Sequence, residues 1–169
     1  AGTALTTCYG DPTNPSHLLA RYGFLDQTSP ATFCKILVLH PSDELVIMGY
    51  DHSRMLFYHE TGDVSDEVWD VLLYQLLGEQ DPDTQQAFYQ AHVGGDTDTK
   101  ASIHDYYSEA TQNALQQHVS TFLQDLEQLS ARAAGKSVRD HPRLPLIVAH
   151  NEFVKETFLK VQSNLLQYA

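Results

Sequence analysis

Two aromatic motifs near the start of the chain carry the side chains best suited to chemistry. Tyr9-Gly10-Asp11 ends a short β-prone run, and Tyr22-Gly23-Phe24 closes a brief apolar segment. A phenol hydroxyl can orient a reacting group, and an aromatic ring can form one wall of a pocket. The same patterns also arise at a strand end and a helix cap, where the tyrosines simply pack in a core.

The elements that would position these motifs are short. Residues 4–9 predict a strand, and the Pro- and Asn-containing residues 11–15 predict a turn. Asn14 or Ser16 could cap a short helix that Gly23 ends, because glycine is favoured just after a helix. Residues 25–30 have the composition of a linker.

The next segment contains three short apolar runs. Residues 33–39 fit a strand or the first turns of a helix. Residues 45–48 and 55–58 could form a hairpin, although periodicity alone does not decide between strand and helix.

From residue 65 onward the pattern becomes helical. Ser65 precedes two acidic residues, which suits a helix start, and Gly78 is the expected stop. A second helix is predicted from Asp81 to the glycine pair at 94–95. Trp69 is expected to anchor the first of these helices in the core.

Two long helices complete the predicted bundle. The first ends before Gly135, and its apolar positions alternate four and three residues apart, the seam of two nearly antiparallel helices. The second covers about residues 146–168. The two stripes are Leu115, Val119, Phe122, Leu126 and Leu129, and Ile147, His150, Val154, Phe158, Val161 and Leu165.

Composition restricts the classes of partner. Ten basic against 22 acidic residues give a net charge of −12, which repels nucleic-acid backbones. We therefore expect a protein partner with a basic surface and no nucleic acid, although the charge also serves solubility. No apolar run approaches the roughly 20 residues that span a bilayer, so no transmembrane segment is predicted.

The cysteines indicate a reducing environment. Only Cys8 and Cys34 are present, without a disulfide-like or zinc-like spacing. This predicts an intracellular protein, and chloroplast and cytoplasm both remain open.

The nine histidines do not show a metal-binding pattern. None forms an i, i+4 pair on a predicted helix, so no metal site is expected. His118 and His150 lie on or beside apolar stripes and are predicted to be hydrogen-bonded packing residues.

Together, the motifs Tyr9-Gly10-Asp11 and Tyr22-Gly23-Phe24, with Asn14 and the leucines at 18 and 19 between them, resemble a known family. They are similar to the C-terminal end of the SET domain in protein lysine methyltransferases of the Rubisco large-subunit methyltransferase type. The acidic helical region that follows resembles the substrate-binding domain of these enzymes. The implied fold class is mainly α, with a short β-containing SET-like N-terminal tail followed by an α-helical bundle. The implied division is a SET-like end over 1–25, a connector with a possible hairpin over 26–64, and the helical domain over 65–169.

The resemblance implies roles for three residues. Tyr9 falls where the family keeps its active-site tyrosine, which orients the neutral lysine amine as it attacks the methyl group of S-adenosylmethionine. Phe24 falls where the family packs a ring against the adenine of this cofactor. Tyr22 lines the same wall, near the channel for the lysine side chain.

The same resemblance sets a condition on activity. The family's glycine-bearing cofactor loop and its Asn-His motif precede the tyrosine, and these 169 residues contain neither. We therefore expect them to be inactive alone and, since residue 1 is Ala rather than Met, to continue a longer sequence. The alternative, from a different class, is a non-catalytic adaptor or structural subunit that uses the bundle for protein docking.

Overall fold

The computed structural model describes residue 13 and residues 15–36, 42–51 and 53–167, and most of this part of the chain is α-helical. The predicted mainly-α fold class is thereby confirmed. The described residues form six helices and two short strands: α1 (Pro15–Tyr22), β1 (Ala31–Phe33), α2 (Asp43–Ile47), β2 (Leu56–Tyr58), α3 (Asp66–Gln80), α4 (Pro82–Gly94), α5 (Thr97–Ala134) and α6 (Leu144–Gln167).

The short N-terminal helix is confirmed. Leu18 anchors α1 with only 3% of its surface exposed, and Gly23 ends the helix in a left-handed conformation with φ +75°. Ser16 lies inside α1 rather than at its cap. The predicted strand over residues 4–9 and the candidate cap Asn14 lie outside the described residues.

The possible hairpin between residues 45–48 and 55–58, in the connector over 26–64, is wrong. Residues 43–47 form α2, because Ser42 accepts a hydrogen bond from the Leu45 amide and caps a helix there. Strand β2 pairs instead with β1, in an antiparallel register that places Thr32 opposite Phe57. The strand expected over 33–39 ends at residue 33, and residues 37–39 lie outside the described part.

The predicted helices from residue 65 to residue 94 are confirmed, with two corrections. Ser65 is the N-cap of α3, but its hydroxyl donates to the Arg54 carbonyl rather than capping the helix. Gly78 does not end α3, which continues to Gln80. A Cβ at Gly78 would lie 2.7 Å from the amide nitrogen of Gln85 on α4, which donates to the Tyr74 carbonyl, so the glycine leaves room for this hydrogen bond.

The core lies where α5 and α6 pack on α3 and the small sheet. Phe158 on α6 is fully buried, and its ring contacts Phe57 edge-on and stacks on Phe122 at centroid distances of 4.9 and 4.2 Å. The two predicted stripes form the α5–α6 seam, except that Leu129 and Ile147 at its end stay 48% and 45% exposed. Trp69 is only partly buried, beside the core rather than within it.

Among the residues that the structure describes, no helix combines the length and the apolar character that crossing a bilayer requires.

Candidate functional site

The end of α1 positions two of the three predicted site residues. The Gly23 amide donates to the carbonyls of Leu18 and Leu19 at 3.2 and 3.0 Å, which closes the helix with a left-handed residue. This conformation is easy for glycine and strained for other residues. The tight turn therefore fixes Tyr22 and Phe24 on either side of a single glycine.

The rings of Tyr22 and Phe24 form an aromatic pair at this turn. Their centroids are 6.3 Å apart, with an angle of 26° between the planes. The side chains are 41% and 36% exposed, so part of each ring faces solvent. The Arg21 guanidinium lies 5.5 Å from the centroid of Tyr22, which adds a cation–π contact. An exposed ring pair of this kind can stack on a planar ligand or cover an aliphatic chain.

The resemblance predicts that Phe24 packs against the adenine of S-adenosylmethionine. Adenine is a planar heterocycle, and stacking a base on an aromatic side chain contributes about 1–3 kcal/mol. When bound, this cofactor supplies a methyl group that a neutral amine can accept. Tyr9 lies outside the described residues, so the wall predicted from Tyr9 and Phe24 stays a prediction.

Helix α1 is attached to the bundle through His150 of α6. The imidazole Nε2 lies 2.8 Å from the hydroxyl of Ser16, and Nδ1 lies 3.4 Å from the side-chain oxygen of Asn151. Burial lowers the pKa of His150, and the nearby Lys35 charge lowers it further, against the hydrogen bond to Asn151. The neutral ring can accept the Ser16 hydroxyl hydrogen, so His150 acts as a packing residue that joins α1 to α6, as predicted.

His118 is the second histidine predicted to pack rather than to ligate. Its Nε2 lies 2.6 Å from the carbonyl oxygen of Cys34, and its ring stacks beside Phe122. Burial lowers the pKa of His118, partly offset by this hydrogen bond. His118 is therefore a hydrogen-bonded packing residue, as predicted. Its contact with the Cys34 carbonyl holds the loop after β1 against α5.

A second polar cluster, which the sequence reasoning missed, surrounds Asp70 on α3. The Asp70 carboxylate accepts hydrogen bonds from the Tyr50 hydroxyl, from Lys100 Nζ at 2.6 Å and from His104 Nε2 at 2.7 Å. The Tyr50 hydroxyl also lies 3.1 Å from Nδ1 of His92. We call these five residues the Asp70 cluster.

The chemistry of the Asp70 cluster indicates a structural role rather than a role in proton transfer. Burial alone would raise the pKa of Asp70, but the bonds from His104, Lys100 and Tyr50 outweigh it and hold the pKa below its ordinary value. A carboxylate with a low pKa and two occupied oxygens is a poor general base. The cluster therefore ties α3 to α5 and to the loop after α2.

A sequence signal for this cluster does exist. Asp70 interrupts the apolar run of α3 between Trp69 and Val71, where a carboxylate must find partners. Lys100 and His104 are four residues apart and therefore lie on one face of α5. The sequence does not show that this face packs against Asp70.

No protein family, curated protein or solved structure matches this sequence. Among the described residues, no three His, Cys, Asp or Glu side chains converge as metal ligands would.

Proposed function

We propose that this chain is the C-terminal portion of an S-adenosylmethionine-dependent protein lysine N-methyltransferase of the SET type. On this proposal the helical region binds the protein substrate, and the turn after α1 borders the site of methyl transfer. The observation that carries the proposal is the aromatic pair, in which a left-handed glycine holds two partly exposed rings together at the end of a short helix.

Two further features support this assignment. Helix α1 contacts α6 through Ser16 and His150, so the turn lies against the helical region that would hold the substrate. The net charge of −12 favours a substrate segment rich in lysine, which is the residue to be methylated.

The proposal is tested with the full-length protein encoded by the gene. We expect calorimetry to detect S-adenosylmethionine binding and a tritiated methyl group to be transferred to protein lysine in lysate from the source organism. Phe24→Ala should weaken cofactor binding by about five- to 150-fold, the equivalent of about 1–3 kcal/mol of lost stacking. Tyr9→Phe should lower turnover and leave cofactor affinity nearly unchanged.

Tyr106→Ala is the matched control, since this ring on α5 is 81% exposed and distant in sequence from the turn. It should change neither cofactor affinity nor methyl transfer. A full-length protein that neither binds the cofactor nor incorporates label would reject the enzyme and favour a non-catalytic adaptor.

A further inference from the structure

The end of the α5–α6 seam opens into a groove at the turn that joins the two helices. Its lining includes apolar side chains, Leu129 of α5 and Leu144 and Ile147 of α6, and three basic ones, Arg132, Lys136 and Arg143, with Asp140 as the single carboxylate. We call this surface the elbow groove. Its volume is about 670 Å³, within the range of roughly 300–1,000 Å³ typical of binding pockets.

The elbow groove exposes apolar side chains at positions where the spacing of the α5–α6 seam predicts buried ones. Leu129 continues the four-and-three spacing of α5, yet its side chain is 48% exposed. Ile147 continues the stripe of α6 and is 45% exposed. The preceding seam position, Leu126, is only 5% exposed. The last layer of a helix–helix interface is therefore present in the sequence but lacks a covering element among the described residues.

The charge at this groove is opposite to that of the molecule. Four of the ten Lys and Arg residues fall within residues 132–143, where Asp140 is the single carboxylate. Within the part of the chain that the structure describes, neither Arg132, Lys136 nor Arg143 has a carboxylate within ion-pair distance. The groove is thus a positive, apolar site on a protein whose net charge is −12.

We propose that the elbow groove binds an acidic amphipathic helix of a partner protein. Apolar side chains at helical spacing would complete the open layer at Leu129 and Ile147, the helix-in-groove mode of recognition. Carboxylates flanking them would pair with Arg132, Lys136 and Arg143, which supplies specificity and rapid association.

Other occupants match these features less well. A groove between two helices suits an inserted helix better than a flat bilayer. Its apolar side chains, Leu129, Leu144 and Ile147, offer nothing to the phosphate and sugar groups that supply most protein–nucleic acid hydrogen bonds. This proposal does not depend on methyltransferase activity.

The test uses the full-length protein and a fluorescein-labelled helical peptide of about 18 residues, or five turns. Leucines at i, i+4, i+7 and i+11 form one face, and glutamates fill the others. A second peptide carries lysine in place of every glutamate. Fluorescence anisotropy should show saturable binding of the acidic peptide that weakens as salt rises. Any binding of the lysine peptide, which the net charge of −12 favours at other surfaces, should not depend on the residues of the groove.

The double variant Ile147→Asp with Lys136→Glu should weaken binding of the acidic peptide by at least about tenfold. It replaces an apolar side chain that would contact the peptide and reverses one positive charge of the groove. The matched control is Val93→Asp with Lys155→Glu, which makes the same changes at a 54% exposed valine and at a lysine outside the groove. The control should bind within about twofold of the wild type, given the small effect of surface changes away from a site.

Each other outcome overturns the proposal. Equal loss of acidic-peptide binding in both variants, or no loss in either, would mean non-specific attraction. Absence of peptide binding together with dimerisation that the groove variant abolishes would make a second copy of the chain the occupant. Binding to vesicles of phosphatidylcholine and phosphatidylserine, lost in the groove variant without any peptide binding, would make it a membrane site.

Discussion

The Asp70 cluster permits a quantitative test of the fold. Asp70→Asn keeps the size of the side chain and removes its charge. The carboxylate is only 7% exposed and accepts hydrogen bonds from Tyr50, Lys100 and His104. An asparagine offers one acceptor oxygen, and its amide group would face at least one of these donors.

The magnitude follows from what each partner loses. A hydrogen bond to a charged group contributes about 1.5–3 kcal/mol, and breaking a buried ion pair costs about 3–5 kcal/mol. The Lys100 and His104 side chains are 25% and 27% exposed, so water can solvate them again and the loss is reduced. We expect the free energy of unfolding to fall by about 2–4 kcal/mol. At about 2–4 °C per kcal/mol for a chain of this size, the melting temperature should fall by about 5–15 °C.

The measurement is urea and thermal unfolding at neutral pH, followed by circular dichroism. Asp105→Asn is the control, because Asp105 is exposed on α5 and should change stability by less than about 0.5 kcal/mol. The pH dependence of the free energy of unfolding provides a second test. Since the pKa of Asp70 is lowered in the folded state, its contribution is complete above the ordinary value of about 3.9. It is lost as the pH falls through the folded value.

The stability difference between wild type and Asp70→Asn should therefore shrink below about pH 4. A loss equal to that of Asp105→Asn at neutral pH would refute the reasoning. A loss that stays constant down to pH 2 would show that it comes from the donors that the asparagine amide faces rather than from the charge of the carboxylate.

Two further predictions concern backbone space and histidine burial. Gly62→Ala should destabilise the protein by about 2 kcal/mol more than Gly95→Ala in urea unfolding, since only the first adds a clash to the left-handed strain. Both glycines have φ near +75°, but a Cβ at Gly62 would lie 2.8 Å from the Lys160 backbone carbon, whereas Gly95 faces open space; equal losses would contradict this packing. Because burial lowers the pKa of His118, its contribution is complete above about pH 6.5 and is lost as the pH falls through the folded value. His118→Gln should therefore flatten the decline of melting temperature between pH 7 and 5, and an unchanged slope would exclude His118 as its source.

Much of the helical architecture could be predicted from local sequence. Asp81 and Gly95 mark the ends of α4, as an N-cap and a left-handed stop would. The stripe spacing of α5 and α6 predicts their mutual packing. These signals work because capping and periodicity are properties of a few neighbouring residues.

The errors occur where distant residues decide the outcome. Residues 45–48 are apolar enough for a strand, but residues 43–47 form a helix whose Leu45 is buried in the core and whose Glu44 accepts a hydrogen bond from Tyr74 of α3. Glycine often ends a helix, yet Gly78 lies inside α3, where it leaves room for the Gln85 side chain of the next helix.

The candidate sites also combine features that local sequence predicts with features that depend on tertiary contacts. The sequence alone determined helices α1 and α3 to α6 and the turn at Gly23, because capping and periodicity depend on a few neighbouring residues. It also showed the apolar stripes of α5 and α6 that form the seam. Only the tertiary structure brought Lys100 and His104 to the carboxylate of Asp70, and only it left Leu129 and Ile147 uncovered at the elbow. The physical reason is that burial and charge pairing depend on which faces meet, and residues far apart in the chain determine which faces do.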